Sequence, residues 1–316
     1  MNNQTNTAVT EAVPDTLIAR FQERISPAVW VANLATVLLP IAGLVVAIVL
    51  LWGWGFSLVH LAIMASFYAL TILGVTIGFH RYFTHKSFET PKWVQVTLAI
   101  FGSMAVEGPL IKWVAIHRRH HQHSDTDEDP HSPHTHGYGV WGVLKGFWHA
   151  HIGWIFTPDA PGLARYATDL FKQRAWRVIS NLFPLWVAIG FILPAALGGL
   201  LTMSWKGALL GFIWGGLVRV FLVHHVTWSV NSIGHMWGTK PFKSHDESRN
   251  NFILGVLGMG EGWHNNHHAF PTSARHGLRW WQIDVSYYII RSMQAVGLAW
   301  KVRVPAGPQI AAKMAG

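Results

Sequence analysis

Residues 30–54 read WVANLATVLLPIAGLVVAIVLLWGW, a run without a single charge. About 20 helical residues cross the ~30 Å hydrocarbon core of a bilayer, so this stretch predicts a membrane-spanning helix. Gly53 to Gly55 predict a tight turn, after which FSLVHLAIMASFYALTILGVTIGF (56–79) returns the chain with His60 as its one basic side chain. A second pair follows at NLFPLWVAIGFILPAALGGLLTM (181–203) and GALLGFIWGGLVRVFLVHHVTWSVN (207–231), joined by Ser204 to Lys206. Pro40, Pro184 and Pro194 fall inside these spans, where neighbouring helices can satisfy the carbonyls that proline frees. WVQVTLAIFGSMAV (93–106) is apolar but short, and is expected as an interfacial or buried helix. The expected fold is all-α and polytopic: four transmembrane helices in two hairpins, under a helical cytoplasmic cap. Its main domain is expected over 30–300, between a polar tail at 1–29 and a C-terminal tail at 301–316. The first segment lacks the basic start and apolar core of a signal peptide.

Composition agrees, with 51% hydrophobic residues, 12% charged and a mean hydropathy of +0.26. Of the 24 Lys and Arg, all but Lys206 and Arg219 lie in 1–29, 81–180 and 232–316. These segments share one face in the four-span arrangement, and the positive-inside rule makes that face cytoplasmic, with both termini on it. The net charge of +9 is accounted for by this asymmetry without a nucleic-acid partner. An integral multi-pass membrane protein is expected, in the cell membrane if the source is bacterial. There is no Cys, so any metal must sit on nitrogen or oxygen.

The 20 His are the chemical signal. His80 and His85 form an HxxxxH pair at the predicted exit of the second span. His117, His120 and His121 (HRRHH) stand at i, i+3 and i+4, which puts them on one helical face. The same spacing returns at His264, His267 and His268 in GEGWHNNHH, and His235 closes NSIGH at the exit of the fourth span. A lone histidine is most simply a surface or hydrogen-bonded residue; two repeated HxxHH boxes and two span-exit boxes are not. Nine imidazoles are too many for one ion and suit two transition metals, nitrogen favouring Fe, Zn, Cu or Ni over Mg or Ca. No HExxH is present, as a zinc hydrolase would suggest. The residues by themselves therefore point to a dinuclear, nitrogen-ligated site at the membrane–cytoplasm boundary.

HRYFTH, HRRHH and GEGWHNNHH, in this order between two hydrophobic hairpins, resemble the three histidine boxes of integral-membrane fatty acid desaturases. NSIGH and Trp281 to Val285 (WQIDV) are similar to elements of the acyl-CoA branch, the delta-9 or stearoyl-CoA type. The resemblance covers about 56–290. It implies a non-haem di-iron oxidoreductase that uses O₂ and two electrons to place a cis double bond, at delta-9, in a saturated acyl-CoA. The implied iron ligands are His80, His85, His117, His120, His121, His235, His264, His267 and His268, with Asn231 holding a metal-bound water. Electrons would come from a separate carrier such as ferredoxin, rubredoxin or cytochrome b5, because the chain has no Cys cluster or HPGG haem motif. Regiochemistry would be set by a narrow apolar tunnel measuring the chain from its head group. The resemblance places Trp113 and Thr227 beside the bend of that tunnel and Glu107 where the animal enzymes carry Gln. Tyr68 and Ile72, one turn apart, are expected toward its closed end.

The other histidines carry plainer expectations. His131, His134 and His136 read as a solvated Pro/Gly-rich loop, and His149 and His151 as structural neighbours or head-group contacts. His224 and His225 are expected to hydrogen-bond behind the metal ligands, His60 to sit satisfied in the core, and Arg219 to snorkel or pair. A related membrane di-iron hydroxylase of alkanes or fatty acyl chains is the competing enzyme. A metal transporter would instead place its ligands along the spans.

Overall fold

The computed structural model describes residues 25–51, 53–55, 57–160 and 162–315. The first 24 residues of the expected polar tail lie outside it, as do Trp52 and Phe56 near the first predicted turn. The chain is helical: α1 (Pro27–Leu51), α2 (Leu58–Thr84), α3 (Lys92–Ser103), α4 (Leu110–His123), α5 (Gly139–His151), α6 (Arg174–Asn181), α7 (Phe183–Thr202), α8 (Trp205–Met236), α9 (Phe252–Leu257), α10 (His264–Ala269), α11 (Val285–Ala295) and α12 (Gly307–Lys313). Pairing between extended segments, among the described residues, is limited to isolated bridges such as Glu89 with Trp300.

Four helices, α1, α2, α7 and α8, are long and apolar enough to cross a membrane. Their outer faces expose Val49, Leu58 and Leu200, surface that hydrocarbon tolerates and water does not. α7 and α8 pack closely as a hairpin, whereas α1 and α2, among the spanning helices, each pack chiefly on α8. Gly215 marks where three of them meet, since a Cβ there would come within 2.5 Å of Pro194 on α7 and 2.8 Å of Ile63 on α2.

Two boundaries differ from the sequence expectation in a way that matters for the site. α2 and α8 run on to Thr84 and Met236, five residues beyond each expected end. The hydropathy drop that suggested an exit into water reflects entry into a polar, buried interior. Arg81 shows why: it is fully buried, and its guanidinium lies 3.2 Å from Glu261 and 3.0 Å from Asp284. The end of α2, Gly74 to Thr84, is also π-helical, a form rare in proteins and frequent at functional sites.

The cap packs on this extension. Phe79, Phe83, Leu110, Val114, Leu163 and Trp176 form one buried cluster tying α2, α4 and α6 together. The short apolar segment forms α3, packed along the π-helical part of α2. Residues 301–315 fold back onto the cap, with the Arg303 amide on the Ser87 carbonyl at 2.9 Å and the Ala274 amide on the Arg303 carbonyl at 2.8 Å.

Candidate metal centre

The π-helical geometry explains the HxxxxH spacing. In a π-helix residue i bonds to i+5, so positions five apart lie on nearly the same face; the rings of His80 and His85 stand 4.7 Å apart between centroids. On α4, His117, His120 and His121 share a face, and α10 presents His264, His267 and His268 against them, while the last turn of α8 supplies His235.

The nine imidazoles separate into two ligand sets. His80, His85, His117, His121 and His267 form one, and His120, His235, His264 and His268 the other, with candidate donor atoms in each set within 4.8 Å of one another. In the first set Nε2 of His267 lies 3.0 Å from that of His80 and 2.9 Å from that of His121, which is itself 3.1 Å from that of His117. A ring nitrogen offers one hydrogen or one lone pair, never both. His121 and His267 each face two such neighbours, so these contacts cannot all be hydrogen bonds. Nitrogens about 2.1 Å from a common ion stand about 3 Å apart, and the set fits that arrangement. In the second set Nε2 of His235 and His264 are 3.0 Å apart, and the buried Nε2 of His120 and His268 have no partner among the described residues. The residues therefore fit two transition-metal ions, one per set.

Carboxylates behind the rings fix their tautomers. Nδ1 of His80 donates to Glu261 at 2.6 Å, of His120 to Asp129 at 3.0 Å, of His235 to Asp125 at 2.9 Å and of His268 to Asp246 at 2.5 Å. With hydrogen on Nδ1, each ring turns its Nε2 lone pair inward. Burial would push the carboxyls of Asp129 and Asp246 up, but the electrostatics and hydrogen bonds of the His120 and His268 rings outweigh it and hold both well below the usual carboxylate range. Burial, reinforced by neighbouring imidazoles, keeps His85, His117, His121, His264 and His267 well below the usual histidine value. They are uncharged at neutral pH, as ligands must be.

A cleft of ≈450 Å³ runs to these rings. Val29, Ala32 and Thr157 are exposed at its mouth, and Ile72, Val75 and Thr76 are buried at its far end. Between them the lining includes His80 and His117 of the first set, His264 of the second, and Asn231. Glu107, Trp113 and Thr227 also line it, whereas Tyr68 lies outside the lining and donates its hydroxyl to the Leu257 carbonyl at 2.8 Å.

Residues 59–295 match the family model described as fatty acid desaturase. The chain belongs to the fatty acid desaturase family. This desaturase is 43% identical over 277 residues to the hex-5-enoyl-(acyl-carrier protein) acetylenase of Moorena producens, covering 87% of the chain and 86% of that protein. It is 40% identical over 234 residues to the sn-1 stearoyl-lipid 9-desaturase of Anabaena variabilis, covering 73% and 79%. To delta-9 acyl-lipid desaturase 1 of Arabidopsis thaliana it is 38% identical over 266 residues, covering 82% and 80%.

Several residues of the desaturase stand elsewhere than sequence reasoning put them. His131 is buried, not solvated: Asp129 accepts from its backbone amide at 3.0 Å and turns the loop inward, so its ring lies 4.4 Å from that of His120. His134 stays at the surface. His224 bonds to the Ala105 and Val106 carbonyls and His225 to His151, so neither backs a metal-set imidazole as expected. His149 and His151 are structural, on the Pro130 carbonyl and Ser232. His60 is a core histidine as expected but only half satisfied: its Nε2 meets the Gly207 carbonyl at 2.9 Å, while its buried Nδ1 has no partner among the described residues. Arg219 neither snorkels nor pairs with a carboxylate; it donates to the carbonyls of Gly215, Met104 and Gly190. Sequence reasoning missed Asp125, Asp129, Asp246, Glu261 and His276, the last wedged between Arg81 and Glu261. A signal was present: in a chain with only 15 acidic residues, the four carboxylates each stand within three positions of a histidine.

Proposed function

We propose that the chain is an O₂-dependent acyl desaturase that holds one iron in each histidine set and removes two hydrogens from a saturated chain lodged in the cleft. The overall change is –CH₂–CH₂– plus O₂, two electrons and two protons giving –CH=CH– and two waters. Iron at the two sets supplies the oxygen-derived oxidant that an unactivated methylene requires. The protein's part is position: an apolar cleft that strips water from the chain, and carboxylates that keep each Nε2 aimed at its set. The observation that carries this reading is that one cleft touches both sets, through His80 and His117 of the first and His264 of the second, with Asn231 also in its lining. In it the nine histidines are the iron ligands, Asn231 holds a bound water, and Ile72, Glu107, Trp113 and Thr227 shape the acyl path, with Tyr68 behind its far end.

The resemblance of NSIGH and WQIDV favours a cis delta-9 double bond and an acyl-CoA carrier. The names of the relatives cover three carriers, protein, lipid and, in the acyl-CoA C20 Delta5-desaturase of Anemone leveillei, CoA. The basic segments support a cytoplasmic active site, reached by a separate ferredoxin, rubredoxin or cytochrome b5. Expression in a host lacking the double bond, with mass spectrometry of acyl products and iron analysis of the purified protein, tests the reading. A cis-alkene and two irons per chain are expected, both lost in the double variant His121→Ala/His264→Ala. Hydroxylated acyl products would assign the competing hydroxylase instead.

A further inference from the structure

Glu107 is a carboxyl on the wall of a cleft that is otherwise mostly apolar. It sits in the turn between α3 and α4, where Val106 at φ +67° and Gly108 at φ +110° hold left-handed backbone. That conformation is unfavourable for a β-branched residue, and it turns Glu107 toward the cleft. There Oε2 accepts from the Trp113 indole at 3.1 Å and Oε1 lies 2.5 Å from the Thr227 hydroxyl. The carboxyl thus braces α4 to α8 beside the first ligand set, since the Trp113 ring stacks on that of His117 at 4.9 Å.

The Thr227 hydroxyl has one hydrogen and three acceptors: Glu107, the Val223 carbonyl at 2.9 Å and the His224 carbonyl at 3.0 Å. A neutral Glu107 resolves this, donating to Thr227 while Thr227 donates back to its own helix. An ionised Glu107 would instead place a charge against an apolar chain from which water has been expelled. The other groups facing this region do not neutralise that charge. Lys112 is committed to Asp159 at 2.9 Å. His224 faces the Ala105 and Val106 carbonyls. Burial, with His120 adding to it, lowers His131 to about 3. His80, His117 and His264 belong to the ligand sets, and Glu261 adds only negative charge. Burial raises Glu107 to about 7 even with the hydrogen bonds from Thr227 and Trp113 pulling it down.

We propose that Glu107 works as a neutral carboxylic acid whenever the cleft holds an acyl chain, bracing Thr227 and Trp113 across it, so that acyl binding takes up a proton. This rests on the reading of the cleft as the acyl site. The test uses metal-loaded protein in detergent without reductant, with stearoyl-CoA and methyl stearate as probes. Calorimetry in buffers of different ionisation enthalpy counts protons, and infrared spectroscopy follows the C=O stretch of a protonated carboxyl. At pH 8 the wild type gains that band and takes up close to one proton; at pH 6 it takes up far less. Its affinity for methyl stearate weakens toward about tenfold per pH unit above neutrality, while Glu107→Gln takes up no proton and binds independently of pH. Wild-type binding without uptake or band, or uptake that persists in Glu107→Gln, overturns the proposal and leaves the desaturase reading standing. If neither probe binds at any pH, the acyl-site reading falls, and this proposal with it.

Discussion

Nδ1 of His268 lies 2.5 Å from Oδ2 of Asp246, and neither side chain is exposed to solvent. The pair belongs to an asymmetry between the two ligand sets. Among the described residues, three of the four imidazoles in the second set, His120, His235 and His268, have a carboxylate behind them, and in the first set only His80 does. Carboxylates in this position raise ligand basicity and hold ring orientation. Asp246→Asn should therefore weaken metal binding by roughly 10–100-fold in the second set alone. Dialysis against a graded chelator series, followed by elemental analysis, should show one iron leaving early. Two irons retained as firmly as in the wild type would contradict it.

Ile72 is fully buried at the far end of the cleft. In a chain measured from its head group, this wall limits only what extends past the reacting carbons. Ile72→Ala should admit acyl chains longer by about one or two methylenes, with the double bond unmoved when counted from the carboxyl end. The cost in stability should be near the lower end of the ~2–5 kcal/mol typical of large-to-small core changes, because the side chain borders a space already open. Product mapping on a series of chain lengths decides; a shifted double bond at unchanged length would place Ile72 elsewhere relative to the metals.

Arg219 binds three backbone carbonyls from α8, α7 and the end of α3 while fully buried. Arg219→Met keeps the apolar stem and strips the donors, leaving the Met104 and Gly190 carbonyls without their partner. At ~1–3 kcal/mol for each buried group so orphaned, thermal unfolding in detergent should occur several degrees lower. An unchanged midpoint would mean that water replaces the guanidinium.

Cysteine labelling in this Cys-free chain tests the proposed cytoplasmic placement of the cap. His245, 60% exposed by side chain, lies among the basic segments, and Met203, 87% exposed, lies in the α7–α8 turn. In inside-out vesicles a membrane-impermeant thiol reagent should label His245→Cys and spare Met203→Cys. The reverse pattern would invert the topology.

Turnover with a separate acidic electron carrier should fall with added salt, through a rising KM for the carrier, as screening shortens the field of the basic face to ~8 Å at physiological ionic strength. Acyl affinity and iron content should hold steady. Steady-state rates from low to high salt test this, and salt-independent KM would assign docking to apolar contact.

The sequence by itself determined the four spans and the clustering of nine histidines. Those signals are local: an uncharged run of 25 residues must bury its backbone polar groups in a helix if it meets lipid, and HxxHH puts three imidazoles on one face wherever it is helical. The split of nine rings into sets of five and four was not legible, because His267 and His268 are adjacent in sequence yet serve different sets. That partition depends on how α10 lies across α4 and α8. Nor could the sequence show that α2 and α8 continue through His80 and His235, since a drop in hydropathy looks the same at a water boundary and at a buried polar interior. The carboxylates Asp125, Asp129, Asp246 and Glu261 acquire their role only when separate segments converge: each lies within three residues of a histidine, yet the ring it bonds at 2.5–3.0 Å is a different one, chosen by tertiary distance.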